Sequence, residues 1–342
     1  MSSSNIAARQ STARLPQPDS APACAGIQGE STDRHEPIRC TQVSDDINEQ
    51  AVGITDWEQE YDQISAGRFH GSIEECRIGA LQVFREHTSQ ALYQQCEVWA
   101  GAVWVGIPVI REDFRINGQA VEACDLMWRR GRDPFELVTP EGSNILSVAV
   151  HEAVLEHHAQ TQGIAITLPE AGCCPRIQAD PETIREMGLL INKVVSAKPG
   201  SIDRGIHEDL VIMMLLDQLG DVRLNNQLPP SYAHRRAVVD RVRDYVLEVG
   251  ALPVTLDELC QVACVSRRTL QYSFDSILGI SPKHFLRTGR LNRVRRLLSS
   301  QEAGSVSDAA AHYGFYHLSQ FATDYKRLFG ELPSQTLKRH AG

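Results

Sequence analysis

No stretch of this 342-residue chain approaches the roughly 18 consecutive apolar residues that a membrane-crossing helix needs. The Ser-rich start also lacks the apolar core of a secretory leader. Cysteine is not organised in pairs: there are nine, an odd number, none in a CxxC or zinc-ribbon spacing. The adjacent Cys173 and Cys174 cannot easily bridge each other. A reducing, cytoplasmic setting is expected. Catalytic signatures are missing as well, with neither a phosphate-cradling P-loop nor a GxSxG nucleophile turn. His151, Glu152, His157 and His158 come nearest to one. A zinc protease, however, needs HExxH so that both histidines share a helical face, and here the second lies six residues on. Cys173 and Cys174, before Pro175, lack the further ligands of a metal-activated thiol, and the strand-like segments lack the clustered His and Glu of a metal-binding barrel. The expectation is no enzyme, no cofactor and no metal.

What is present is an uneven division of charge. Residues 231–342 hold 16 Lys and Arg against 10 Asp and Glu, a net of +6, while residues 1–230 hold 18 against 33, a net of −15. A basic end on an acidic body suits a nucleic-acid-binding module joined to a regulatory one. Residues 1–50 are rich in Ser, Ala, Pro, Gln and Asp without apolar periodicity and are expected to form a disordered tail. From Trp57 to about Gln162, short segments such as CRIGALQVF, FELV and NILSVAV alternate with Gly, Pro, Asn and Asp, which reads as a small β barrel or sandwich. Asn117-Gly118 marks a tight hairpin within it. Two helices follow. One opens with Asp180 as N-cap and Pro181 in the first turn; the other, about Arg204 to Leu219, is apolar nearly all round and calls for burial on more than one side. NNQLPPSYAHRR, residues 225–236, reads as a linker.

The last quarter carries a repeat. Leu256, Leu259, Cys260, Cys264 and Val265 match Val306, Ala309, Ala310, Gly314 and Phe315 at an offset of 50. Past the turn the offset is 51: Leu270, Phe274, Ile277, Leu278, Gly279 and Pro282 match Phe321, Tyr325, Leu328, Phe329, Gly330 and Pro333. Matched core positions and matched stop signals, with one slip at the turn, define two tandem helix-turn-helix units. A connecting helix from Pro282 to Leu298, about 25 Å long, could hold their second helices roughly one DNA turn apart. Its arginines, Arg287, Arg290, Arg293, Arg295 and Arg296, suit either a phosphate-facing or a solvated surface. Cys260 and Cys264 read as buried thiols.

The motifs VSRRTLQ, GISP, RL, GF, SQF, YK and FGELPS, in that order over about residues 235–338, resemble the AraC/XylS family of bacterial transcription regulators. Tyr272 stands where members often carry a basic residue, and His317 where they often carry a capping Asp or Ser. The resemblance implies an α+β chain: an N-terminal cupin-like or jelly-roll β domain with a helix pair, then an all-α C-terminal domain with two helix-turn-helix units joined by a long helix. The expected divisions are a tail (1–50), an effector-sensing and dimerisation domain (51–224), a linker (225–236) and a DNA-binding domain (237–342). Trp57 to Gly71, WEQEYDQISAGRFHG, resembles the subgroup that includes ethanolamine-utilisation regulators. For the helix pair, family analogy favours a homodimer, with plain core packing the alternative.

In each unit the exposed side of the second helix's first turns would reach base edges. These are Arg268, Gln271 and Tyr272 in the first unit and Leu318, Ser319 and Thr323 in the second, with Arg267, Thr269, His317, Lys326 and Arg327 nearer to phosphates. Arg forks to guanine and Gln to adenine, whereas the second unit's short or apolar set should discriminate less. The expected function is a ligand-responsive, sequence-specific activator of a catabolic operon, reading two successive major grooves. Its partners would be promoter DNA, an unidentified small-molecule effector and RNA polymerase. The alternative is a constitutive DNA-binding protein whose N-terminal domain only dimerises.

Overall fold

The computed structural model describes residues 37–340 apart from 110–111, 167, 169–175, 199, 221–222 and 225–230. Cys173 and Cys174, and the first half of the expected linker, therefore lie outside the described residues. The first half is strand-rich, in the order β1 (Ile38–Ser44), α1 (Ile47–Ala51), β2 (Glu58–Gln63), β3 (Gly71–Ile78), β4 (Leu81–Thr88), β5 (Leu92–Glu97), β6 (Ala102–Pro108), β7 (Arg115–Ile116), β8 (Gln119–Ala120), β9 (Asp125–Arg130), β10 (Phe135–Thr139) and β11 (Ser143–His151). Then come α2 (Glu152–Gln162), β12 (Arg176–Gln178), α3 (Pro181–Ser196), α4 (Arg204–Gly220) and β13 (Arg223–Leu224). The last part is helical: α5 (Tyr232–Val249), α6 (Leu256–Ala263), α7 (Arg267–Leu278), α8 (Pro282–Ser299), α9 (Val306–His312), α10 (Leu318–Phe329) and α11 (Pro333–His340).

The strands form two antiparallel sheets, one in the order β1-β3-β4-β11-β6-β9-β12-β13 and the other β2-β5-β10-β7-β8, a jelly-roll-like sandwich. Alternation along β4 shows how it is built. Phe84 points between the sheets and Val83 points to the outer face, where it packs under α3 and α4 with Ile184, Met187, Val211 and Leu215. Each such fully buried aliphatic side chain contributes about 1.5–3 kcal/mol. The Asn117-Gly118 hairpin forms as its dipeptide requires, both residues at positive φ (49° and 75°), joining β7 to β8.

Three sequence expectations are corrected. Residues 38–50, expected in a disordered tail, are ordered. β1 pairs with β3 along its whole length, and Asp46 caps α1, which buries Ile47, Gln50 and Ala51. An edge strand with one face covered carries little apolar signal, and the Asp46 cap that follows it is tied to Arg295, 249 residues away. The linker ends sooner than residue 236. α5 starts at Tyr232, whose hydroxyl donates to the Asn117 carbonyl at 2.5 Å, and Arg236 forks onto Glu136 at 3.0 and 3.1 Å. Finally, α4 is not covered all round: Ile206, Leu210 and Met213 stay exposed, as does Leu189 on α3.

The helical part is not a free appendage. Tyr93 and Val138 of the five-stranded sheet, with Ile64 just past β2, share a core with Leu259, Leu270 and Phe274 of the first helix-turn-helix unit and with Val238 and Leu286 of the flanking helices. The second unit, through Leu298, Ala309, Phe321, Tyr325 and Phe329, shares another with Ile47, Ala51 and the sandwich interior.

Candidate nucleic-acid interface

Each unit is built by local signals that the sequence carries in full. In the first, the Thr255 hydroxyl accepts from the Glu258 N–H while the Glu258 carboxylate accepts from the Thr255 N–H, closing a capping box at the start of α6. Ser266 caps α7 by accepting from the Thr269 N–H at 3.1 Å. Leu270, Phe274, Ile277 and Leu278 bury one stripe, and Gly279 ends the helix in the left-handed region. The second unit repeats the plan: Ser305 caps α9, α10 buries Phe321, Tyr325, Leu328 and Phe329, and Gly330 ends it. His317 makes no side-chain capping bond, so α10 starts without the support that Ser266 gives α7.

Both turns carry a left-handed residue, 50 positions apart. In the second unit Gly314 takes φ 74°; in the first, Cys264 takes the matching left-handed turn at φ 53°. Cys264 is exposed and Cys260 only half-buried, which corrects the expectation of two buried thiols: a residue past the helix end points out of the turn, not into the stripe.

Arg268, Gln271 and Tyr272 lie together on the exposed face of α7, and Leu318, Ser319 and Thr323 on that of α10. Several are already engaged. The Gln271 amide donates to both Asp275 carboxylate oxygens at 3.0 and 3.1 Å, leaving its carbonyl as the free end. Tyr272 lies under the guanidinium of Arg235, 5.3 Å from the ring centre, a contact between α5 and α7 that periodicity could not reveal. Arg267 forks onto Asp257 at 2.8 Å. Thr269 bonds to Ser266 through its hydroxyl, and the Thr323 hydroxyl donates back to the Ser319 carbonyl. His317, Lys326 and Arg327 are exposed.

The arginines of α8 hold protein instead. Arg295 reaches Asp46 and Glu331, Arg296 reaches Glu60 and Asp62, Arg287 pairs with Asp324, Arg290 lies over the Phe315 ring, and Arg293 donates to the Gly250 carbonyl. Their partners come from distant parts of the chain, so the charge pattern of the helix alone gave no sign of them.

The sandwich interior holds a second polar assembly. Tyr61 lies directly across from Gln94, and the Tyr61 hydroxyl and the Gln50 amide both donate to Glu86, at 3.1 and 3.0 Å. All four are buried, and burial pushes the Glu86 carboxyl up to about 7 against the lowering effect of those two bonds. Both amide atoms of Gln94, the Trp104 Nε1 and the Ser147 hydroxyl have no protein partner. Phe135 stacks on Trp104 at 4.8 Å beside them. The catalytic-looking group is dispersed: His151 lies tilted against the Trp99 ring, Glu152 pairs with Arg130, and His157 and His158 meet ring edge to face. Among the described residues no three His, Cys, Asp or Glu side chains gather as a metal site, and no helix is long and apolar enough to cross a membrane.

A helix-turn-helix domain model matches residues 259–339. XylDLEGF operon transcriptional activator 1 of Pseudomonas putida is 26% identical over 290 residues, covering 80% of this chain and 82% of that one. XylDLEGF operon transcriptional activator 2 of the same organism is 36% identical over 103 residues, 30% of this chain and 66% of the relative. The crystal structure of the AraC-like transcriptional activator CuxR aligns over 81% of this chain and 99% of its own, at 12% identity and a TM-score of 0.38. With two tandem helix-turn-helix units, a matched helix-turn-helix domain and relatives that are transcriptional activators over four fifths of its length, the chain carries an AraC-type DNA-binding domain and is similar to the transcriptional activators of the AraC/XylS family.

Proposed function

We propose that this regulator is an effector-responsive activator of a catabolic operon. It reads two successive major grooves with α7 and α10 and senses a small molecule inside its sandwich. The single observation that carries the effector reading is Gln94: a fully buried amide with neither end bonded to protein is costly unless something else bonds it. Beside it Tyr61 and Glu86 offer further polar groups, and Trp104 and Phe135 an aromatic wall. That chemistry suits a small molecule with a flat apolar body and one hydrogen-bonding end. The activator reading is supported by relatives that activate an operon. On this reading residues 38–224 form the sensing part and 232–340 the DNA-binding part, with RNA polymerase as the partner at the promoter.

A thermal-shift screen of metabolites on the full chain tests the effector reading, since a ligand at 100 times its Kd stabilises the folded state by roughly 2.7 kcal/mol. The hit should fail to stabilise Gln94→Leu. Footprinting on the cognate promoter should show protection in two successive major grooves; protection of a single groove would remove the bipartite reading.

The alternative, a constitutive DNA-binding protein whose N-terminal part only dimerises, draws on the exposed Leu189, Ile206, Leu210 and Met213 of α3 and α4. It would be favoured by promoter binding that no metabolite changes.

A further inference from the structure

Both recognition helices are held at their far ends by the sensing domain. At the end of α10, the Leu328 carbonyl is one of those left unpaired within a helix. It accepts from the Gln63 side-chain amide at 2.6 Å and from the Gly67 N–H at 3.0 Å. A side chain on Gly330 would lie 2.8 Å from the Arg68 backbone nitrogen, so the two backbones are in direct contact. At the end of α7, a side chain on Gly118, at the tip of the β7–β8 hairpin, would come within 2.5 Å of the Ile277 methyl. Tyr232 ties the same hairpin to α5 through the Asn117 carbonyl.

The two grips sit at opposite sides of one sheet. In the order β2-β5-β10-β7-β8, Gln63 ends β2, and the Gly118 turn follows β7, three strand spacings away. At about 4.8 Å per spacing that is roughly 14 Å of hydrogen-bonded sheet. Gln63 is also fixed to the connecting helix: its backbone N–H donates to the Asn292 side chain, and the Asn292 amide donates to the Gln63 carbonyl, both at 3.0 Å and both buried.

We propose that the five-stranded sheet sets the separation of the two recognition helices, with Gln63 and Gly118 as positioning residues that determine which spacing between half-sites the protein accepts. The inference rests on the two-groove reading. Neither residue touches DNA; each acts through the helix end that it holds. A linker helix alone would leave the two units to pivot about α8, and the sheet removes that freedom.

The test uses the full-length protein and an operator series in which the spacer between half-sites changes by one base pair at a time. Wild type should prefer one spacing by at least about tenfold over its neighbours, because one base pair shifts and rotates the second half-site away from a fixed helix. Gln63→Leu removes the donor to Leu328 at similar volume. It should flatten that preference to less than about threefold, while binding to the first half-site alone changes less than about twofold. Gly118→Ala, at the other grip, should flatten it too, which keeps the test alive if one variant folds poorly. Weaker binding at every spacer with the preference intact in both variants would mean that these contacts serve stability only and would overturn the proposal. A wild type indifferent to the second half-site would remove the two-groove reading, and the proposal with it.

Discussion

Arg295 in the connecting helix and Asp46 at the start of α1 form a buried ion pair, Nη2 to Oδ2 at 2.6 Å, with side chains 3% and 1% exposed. The guanidinium also reaches Glu331 at 2.8 Å and lies over the Phe329 ring. One arginine thus joins the β-sandwich part to the end of the second helix-turn-helix unit. Removing it would leave two carboxylates buried, so Arg295→Ala should cost about 3–5 kcal/mol in denaturant unfolding at pH 7. Asp46→Asn should cost less, because the amide keeps an oxygen for the guanidinium.

The same pair sets an acid limit. Burial alone would raise the Asp46 carboxyl, but Arg295 and the Asn48 N–H outweigh it and hold the group below its ordinary 3.8. A depressed folded pKa gives stability that is present above the unfolded value and lost as pH falls through the folded one. Wild type should therefore lose stability more steeply below about pH 4 than Asp46→Asn does, as measured by urea midpoints across that range.

Glu86 behaves in the opposite way. With its carboxyl near 7, the folded state keeps a proton that the unfolded chain has already lost above its ordinary value of 4.5. Its contribution is fully present below the unfolded value and disappears as pH rises to about 7. Glu86→Gln, which retains an acceptor for Tyr61 and Gln50, should match wild type near pH 4 and be more stable at pH 8 by roughly 3 kcal/mol. Equal stability at both pH values would show that Glu86 ionises without penalty.

Cys264 holds a left-handed turn that Gly314 supplies in the second unit. A side chain there costs about 1–2 kcal/mol, and glycine's added chain entropy returns about 0.4–1 of it. Cys264→Gly should therefore stabilise by roughly 0.5–1 kcal/mol, visible as a raised urea midpoint with unchanged DNA binding. No gain would mean that the turn relaxes around the cysteine.

These contrasts show where the sequence was informative. Stripes and stop glycines act within a dozen residues, so α6, α7, α9 and α10 and their exposed faces were legible from the matched apolar positions of the repeat with Gly279, Gly314 and Gly330. The sandwich was legible as a class, and its Asn117-Gly118 hairpin in detail. Hidden were the contacts whose two sides lie far apart in the chain: Arg296 with Asp62, Arg295 with Asp46, Gln63 with Leu328. A run of arginines on one helix reads the same whether its partners are phosphates or carboxylates two hundred residues away. β1 was missed for a related reason, since an edge strand draws its stability from a neighbour's backbone and not from its own apolar pattern.

Arg267 forks onto Asp257 with both side chains about two-thirds exposed, so the pair must open before the arginine can meet a phosphate. Asp257→Ala should strengthen binding to all DNA sequences alike and steepen the salt dependence by about 0.9 in slope. Titrations at two salt concentrations check this. A change in sequence preference without a change in slope would place Arg267 on a base edge.

The last prediction separates reading from anchoring on the two helices. Arg268 and Gln271 share the exposed face of α7, and Gln271 is turned toward Asp275, its amide donating and its carbonyl left outward. To grip adenine with both ends it must release Asp275, so the acid both orients the glutamine and competes for it. Arg268→Ala and Gln271→Ala should each cost about 1–3 kcal/mol at the cognate site and flatten the preference at only one or two positions. Asp275→Ala should alter the preference at the Gln271 position and leave the Arg268 position alone. Lys326, exposed in the last turns of α10, should behave as an anchor: Lys326→Ala weakens all sequences alike and lowers the salt slope by about 0.9. Ser319 and Thr323 should fall between, because the Thr323 hydroxyl is already bonded to the Ser319 carbonyl and its loss leaves little unpaired. Selection from a randomised operator pool at two salt concentrations distinguishes these outcomes. A selected motif that survives Arg268→Ala and Gln271→Ala but is reshaped by Lys326→Ala would mean that α7 lies differently in the groove, with its last turns and not its first facing the bases.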